Sequence, residues 1–463
     1  MIQQHPTTSL NGLASGLVPL KAADGSNSLT VVDNRTGQTY TVPIWHNSVN
    51  AAEFKQIKTP EDPDNLADQN NQGLRIFDPG YGNTTVAEST ITFIDGLKGM
   101  IQYRGYDIKD IVKSDKRVID VCHLLWRGAW PTKEQAQKFQ QELNNVPVIN
   151  DTVLGAIRAI PKDGSPVGMI ISGLMALQSQ DMDLVPAHAA ATIYHNDPAL
   201  VDTQLVRIFS SLVQITAAAY CHATSRAFTP PRADFSTIEN FFLMTGHIEA
   251  HTGLPNPRYV RYFETLWTLL ADHEMTCSTA AMLQTASAMP DAISALVSAI
   301  SAFYGPLHGG AIEVAYRHIR ELGGVENIPA KMARVHAREE RLYGYGHRVY
   351  RVPDPRYKPI QDILFELKSE VDADPLLKVA LELDRVARHD DYFIKRKLNP
   401  NADLYATLAY NAMGFAPDWI LPITIIARSQ GLLAHFKEAM LQPQRIWRPG
   451  QVYTGPLNKK LDE

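Results

Sequence analysis

Cysteine is scarce in this chain of 463 residues: Cys122, Cys221 and Cys277 are all there are. They are odd in number, scattered and without a Cys-x-x-Cys pair. This excludes a disulfide framework and fits buried thiols in a reducing compartment. No uncharged apolar run reaches the roughly 18 residues that would read as a membrane-crossing helix. An excess of positive charge is also missing. With 44 Lys and Arg against 49 Asp and Glu the formal net charge is −5, and no long basic run occurs. Nucleic acid is therefore not the expected main partner. Arginine first appears at Arg35. A mitochondrial leader would be Arg-rich and amphipathic, and a secretory one would set an apolar core behind a basic start. Neither pattern is found, so the expected compartment is the cytosol. The last five residues, Lys459-Lys-Leu-Asp-Glu463, are neither a peroxisomal nor an ER-retention signal. No repeat of 20–50 residues is visible.

The remaining composition, 45% hydrophobic and 20% charged, is that of a chain able to bury a large core in more than one domain. Residues 1–28 are rich in Ser, Thr, Gly and Ala and read as a flexible leader. Val31–Ile44 carries β-branched runs around Asp33-Asn-Arg-Thr-Gly37, a hairpin signal. Thr59–Gln72 reads as loop, and 74–105 as short strands and turns around Asp78-Pro-Gly80, Asp95-Gly96 and Lys98-Gly99. After Asp107 apolar residues recur at helical spacing in segment after segment. Among them are Thr132–Leu143, Thr203–His222, Ser236–Thr252, one long helix over Tyr259–Met289, Gly309–Leu322, Ala402–Met413 and Pro422–Leu441. Thr132, with Glu134 behind it, and Ser236, with Glu239 at capping-box spacing, mark two helix starts. The pattern predicts an all-α body with a small β-rich N-terminal trimming.

Five stretches carry residues with chemical potential. Gly344-Tyr-Gly-His-Arg-Val-Tyr-Arg-Val-Pro-Asp-Pro-Arg356 sets a histidine among glycines, arginines and prolines. It is either a basic solvated turn or a site that polarises an oxygen and clamps a carboxylate. Ala271-Asp-His-Glu274 flanks His273 with two acids, as a proton or hydrogen-bond donor requires, though a locally satisfied helix-end histidine has the same look. Gly305-Pro-Leu-His-Gly-Gly310 opens a helix whose amides could receive an anion, or is simply a tight turn. Asp403 starts an apolar helix, where most acids are caps. Arg428 stands alone in an apolar helix and needs a partner, structural or ligand. Arg448 follows on a stiff Arg-Pro-Gly loop.

Taken together, and in this order, these motifs resemble the citrate synthase family. Asp78-Pro-Gly80, Ile94-Asp-Gly96 and Tyr103-Arg-Gly-Tyr106 fit as well, so the likeness covers roughly residues 30–455. The resemblance implies an all-α fold in which a smaller helical domain, 303–414, closes over a larger one formed by 29–302 and 415–463. It implies condensation of an acyl-CoA with oxaloacetate, followed by thioester hydrolysis. His273, His347 and Asp403 would be catalytic, with Asp403 as base, His273 on the enolate oxygen and His347 on the ketone. Arg356, Arg428 and Arg448 would clamp oxaloacetate, Arg448 from the partner subunit of a homodimer. Gly305, Pro306, Leu307, His308, Gly309 and Gly310 would lie along CoA. No metal and no bound cofactor is implied; the CoA thioester is a substrate.

Several positions depart from the family's wording. No histidine aligns near Leu243, where many members contact oxaloacetate; His247 and His251 are the alternatives. Ile312 stands where asparagine is frequent, Thr276-Cys277 replaces a common Asn-Ala, and Leu404-Tyr-Ala406 replaces Phe-Tyr-Ser. These changes point to a more apolar acyl side and a longer donor, since each buried methylene is worth about 0.8 kcal/mol. The chain thus looks most like fungal citrate-synthase-like enzymes that make alkylcitrates or methylcitrate in polyketide-derived metabolism. Ordinary citrate synthesis is the alternative. His247-Ile-Glu-Ala-His251 also has the i, i+4 spacing of a zinc pair, without a third ligand in view. A non-catalytic paralogue would have no chemical need for this whole set.

Overall fold

A computed structural model describes residues 27–60 and 72–461, apart from the side chains of Asp403 and Leu404. Most of the expected leader and of the Thr59–Gln72 loop therefore lies outside the described residues. The chain separates into two compact units. One is Ser89–Ile446; the other combines the described part of Leu10–Glu88 with the chain from Trp447 onward. In the second unit the expected hairpin forms. Strands Ser28–Asp33 and Gln38–Trp45 pair antiparallel with Asp33 opposite Gln38. Gly37, at φ 73°, makes the turn, and Arg35 closes it onto Asp33 at 2.9 Å. A two-residue third strand, Ser48–Val49, completes this sheet.

The first unit is helical behind one small sheet of Thr92–Asp95, Met100–Tyr103 and Tyr106–Asp107. Its centre is the 21-residue helix Ile420–Met440, buried on nearly every face. It packs against Pro198–Ala223, Val118–Arg127, Pro257–Leu269, Cys277–Ala286 and Ala292–Phe303. A helix surrounded by helices needs no polar stripe, and its polar residues Arg428, Gln430 and His435 are buried on hydrogen-bond partners. Phe241, Phe242, Phe263 and Phe415 meet ring to ring at 4.6–6.5 Å. Capping boxes at Thr132 with Gln135 and at Ser236 with Glu239 start their helices where the sequence signals them. A further group, Ala311–Leu322, Tyr357–Glu366, Pro375–Arg388 and Asp403–Ala412, packs within the same unit.

Two expected helices are shorter than their periodicity suggests. The one expected over Ser236–Thr252 is Thr237–Thr245, stopped by Gly246 at φ 73°. His247 and His251 thus lie beyond its end and share no helical face. The long one over Tyr259–Met289 is two helices, Pro257–Leu269 and Cys277–Ala286, with a break at 270–276. No helix of the described residues is long and apolar enough to cross a membrane.

Candidate active site

The break at 270–276 carries His273, and distant residues hold it open. A helix that stops leaves its last carbonyls without partners. Here Tyr103 donates its hydroxyl to Thr268 O at 3.1 Å and lies 3.2 Å from Asp272 O. Arg428 Nε donates to Leu270 O at 3.0 Å, Gly431 N to Ala271 O at 2.9 Å and Gln430 Nε2 to Trp267 O at 3.2 Å. The Ile420–Met440 helix therefore supplies donors that replace the next helical turn. Gly431 has to be glycine, because a β-carbon there would collide with the Asp272 carboxylate. That carboxylate accepts from Glu274 N at 3.0 Å and from His435 Nε2 at 3.3 Å. Burial opposes both charges, but each partner favours the other's ionised form, so Asp272 is lowered and His435 raised. Glu274, at φ 59°, turns the chain away, and Thr276 caps the next helix by accepting Thr279 N at 3.2 Å.

His347 comes to the same place from the Gly344–Arg356 loop, its ring centroid 5.2 Å from that of His273. The backbone N–H groups of Val349 and Tyr350 donate to His347 Nδ1 at 3.1 and 3.4 Å. A neutral ring whose Nδ1 accepts must carry its proton on Nε2, where it is a hydrogen-bond donor. Burial first, and then the Arg356 charge, lowers the His347 pKa to about 4. Burial also drives His273 well below the ordinary imidazole range, with Arg356, Arg428 and His347 adding to the effect. Both rings are neutral at physiological pH, and His273 Nε2 lies 2.9 Å from the Tyr350 hydroxyl.

The two arginines beside them are buried, at 6% and 4% exposure for Arg356 and Arg428. Arg356 forms a two-pronged pair with Asp354, Nε to Oδ1 at 3.0 Å and Nη2 to Oδ2 at 2.7 Å. Burial works to raise the Asp354 carboxyl, but Arg356 holds it below the usual range. Arg428 lies over the Phe303 ring at 5.4 Å, and Phe303 meets His308 edge-on at 4.9 Å. His308 Nε2 accepts from Ser278 N at 3.2 Å, at the start of the helix that follows His273. Burial lowers the His308 pKa to about 4. In the Gly305–Gly310 turn, Gly309 abuts the Phe303 ring and Gly310 the Tyr304 carbonyl, so neither place admits a β-carbon. The amides of His308, Gly310, Ala311 and Ile312 bond to carbonyls within this turn, while Leu307 is 83% exposed.

Asp403 is the first residue of the helix Asp403–Ala412. The segment before it is fastened to the His347 loop: Gly346 N donates to Asn399 O at 2.8 Å, Asn401 N to Gly344 O at 3.0 Å and Ala402 N to Asp354 Oδ2 at 3.3 Å. A second tie lies deeper. The Asp384 carboxylate accepts hydroxyl hydrogen bonds from Tyr345, Tyr357 at 2.8 Å and Tyr405 at 2.9 Å. These tyrosines are near neighbours in sequence of His347, Arg356 and Asp403. Arg448 belongs to the second unit and is exposed. His247 is engaged elsewhere, stacked on Phe415 at 3.9 Å and facing Thr245 Oγ1 at 2.9 Å. His251 is 78% exposed near Glu249. No group of three His, Cys, Asp or Glu among the described residues could hold a metal ion, so the zinc-pair spacing has no counterpart in space. Tyr350, Asp354, Asp384 and Gly431 were given no role from sequence, and Tyr103 was read only as part of a motif. Only Asp354, two residues before Arg356, carried a local signal.

Two neutral imidazoles facing each other between buried guanidiniums make a site for an oxygen-rich anion beside a group that needs neutral hydrogen-bond donors. Comparison with known proteins gives the class. Residues 80–450 match the family described as citrate synthase, C-terminal domain. The citrate synthase-like protein oryE of Aspergillus oryzae is 59% identical over 446 residues, covering 96% of this chain and 100% of that one. The alkylcitrate synthase phiJ of a fungal species is 35% identical, covering 95% and 96%. Among solved structures, the citrate synthase of Thermoplasma acidophilum, determined with carboxymethyl coenzyme A and oxaloacetate, superimposes with a TM-score of 0.73. It is 26% identical over 82% of this chain and 96% of its own. The chain belongs to the citrate synthase family. It is an acyltransferase of that type, condensing an acyl-CoA with oxaloacetate.

Proposed function

We propose that the donor is an acyl-CoA longer than acetyl-CoA and that the product is a 2-alkylcitrate, made in fungal secondary metabolism. In this reading Asp403 takes a proton from the carbon next to the thioester while His273 donates a hydrogen bond to the developing enolate oxygen. The enolate carbon attacks the oxaloacetate ketone, whose C=O π bond opens onto an oxygen that accepts from His347 Nε2–H; that oxygen gains one proton to become the hydroxyl, balancing the one Asp403 removed from carbon. Water then cleaves the thioester to a carboxylate and free CoA. The carbon acid is weak, so base and enolate donor have to act together in a site that excludes water. The observation that carries this is the meeting of the two neutral rings at 5.2 Å beside Arg356 and Arg428, which suit the two carboxylates of oxaloacetate. We assign Gly305–Gly310 to the CoA side because His308 ties that turn to Ser278. Movement of 303–414 over the rest would enclose the reaction. No metal and no resident cofactor enters these steps.

Two observations support the longer donor: the alkylcitrate-synthase relative, and an apolar side chain, Ile312, buried where the helix Ala311–Leu322 faces Thr407. The active unit is read as a homodimer, with Arg448 reaching the partner's oxaloacetate. The second unit exposes Phe77 by 77% and Val452 by 66%, apolar side chains that association would cover. Free CoA released from acetyl-, propionyl-, butyryl- and hexanoyl-CoA with oxaloacetate tests the donor. The highest kcat/KM is expected with a chain longer than propionyl. Acetyl-CoA preference overturns the alkylcitrate reading, and propionyl-CoA preference makes the enzyme a methylcitrate synthase.

A further inference from the structure

We propose that Tyr350 is a positioning residue that sets the tautomer of His273: its hydroxyl donates to Nε2 and so leaves the ring proton on Nδ1. This inference rests on the condensation described above, in which His273 faces the enolate. Tyr350 is 2% exposed and touches both imidazoles. Its hydroxyl is 2.9 Å from His273 Nε2, its main-chain N–H points at His347 Nδ1 at 3.4 Å, and its ring lies 4.5 Å from that of His347.

Three considerations give the direction of the bond. A neutral imidazole has one N–H and one lone pair, so the group facing Nε2 decides which nitrogen is which. Burial above all keeps His273 neutral, with Arg356 and Arg428 adding to it, and burial raises the Tyr350 phenol so that it keeps its proton. Among the described residues the acceptor within reach of that buried proton is His273 Nε2. A proton on Nε2 would face the phenol with a second donor and leave the hydroxyl hydrogen unmatched, which buried polar groups avoid. The main chain at Val349 and Tyr350 and the Tyr350 hydroxyl therefore give the two histidines opposite tautomers. His347 presents Nε2–H and His273 presents Nδ1–H, one neutral donor for each oxygen that gains charge. Neither donor has to reorganise during the reaction.

The test uses the full chain labelled with 15N-histidine, with the His273 signals identified by their loss in His273→Gln. Wild-type His273 is expected to be protonated at Nδ1 and unprotonated at Nε2. In Tyr350→Phe the Nε2–H form should gain population. The same variant should lose about 10- to 100-fold in kcat, while the calorimetric oxaloacetate Kd moves by less than about threefold. A wild-type ring protonated at Nε2, an unchanged tautomer in Tyr350→Phe, or a wild-type kcat in that variant overturns the proposal. The nitrogen shifts need no turnover. Failure of the condensation itself, seen as no CoA release by the wild type with any donor, is thus read separately.

Discussion

His347 makes the strongest single-residue statement. Its Nδ1 accepts from two backbone N–H groups and its pKa is lowered to about 4. An unfolded histidine titrates near 6.5, so the native state binds fewer protons between about pH 4 and 6.5. The stability this group contributes is fully present above about 6.5 and is lost as pH falls toward 4. Catalysis should follow the folded value. The kcat/KM for oxaloacetate, measured from pH 5 to 9, is expected to show no inflection at the ordinary imidazole value; a clear step near 6.5 would contradict a neutral donor ring. Arg356 gives a second prediction at this scale. Its planar fork spans both oxygens of Asp354, which an ammonium cannot do. Arg356→Lys should raise the KM for oxaloacetate about 10-fold or more and cost about 2 kcal/mol of stability, checked by steady-state kinetics and urea unfolding.

At the scale of elements, the break at 270–276 decides where His273 lies, and the Ile420–Met440 helix decides the break. Gly431→Ala would push a methyl group into the Asp272 carboxylate. Overpacking of this kind costs about 1–3 kcal/mol, and here the strain falls on the turn that aims His273. The variant is expected to fold with a lowered Tm while kcat drops at least about tenfold. Ala217 is fully buried in another helix, Pro198–Ala223, so Ala217→Gly serves as a control that lowers stability without a comparable loss of kcat. Elements also show what can be read from sequence. The helix starts at Thr132 and Ser236 were legible because caps act within one turn. The stop after Leu269 was not, because Tyr103, Arg428 and Gly431 satisfy the open carbonyls from 160 or so residues away. Gly246 did announce the end of the Thr237–Thr245 helix, but apolar periodicity continuing past it masked the signal.

For the whole molecule, the proposed homodimer makes a prediction that neither residue nor element can test. Arg448→Ala and Asp403→Asn should each be nearly inactive alone, with Asp403→Asn still binding oxaloacetate. If Arg448 acts across the interface, a mixed dimer of the two holds one site with both residues intact. It should then recover about half of the wild-type activity per dimer, by the symmetry of a two-site assembly. Co-expression with two affinity tags gives the mixed dimer; if it is no more active than its parents, Arg448 acts within its own chain.

The sequence by itself determined the helical body and offered the residues proposed to carry the chemistry. Helical periodicity and capping are local, and His273, His347, Asp403 and the arginines stand in motifs that can be read one at a time. Tertiary structure alone decided that His273 sits on a break, that both imidazoles are neutral, and that Tyr350 lies between them. It also brought Asp384 under three tyrosines from separate segments. The physical reason is common to all of these. Desolvation, tautomer choice and the filling of open backbone carbonyls depend on which groups meet in space, and those partners are scattered from Tyr103 to His435.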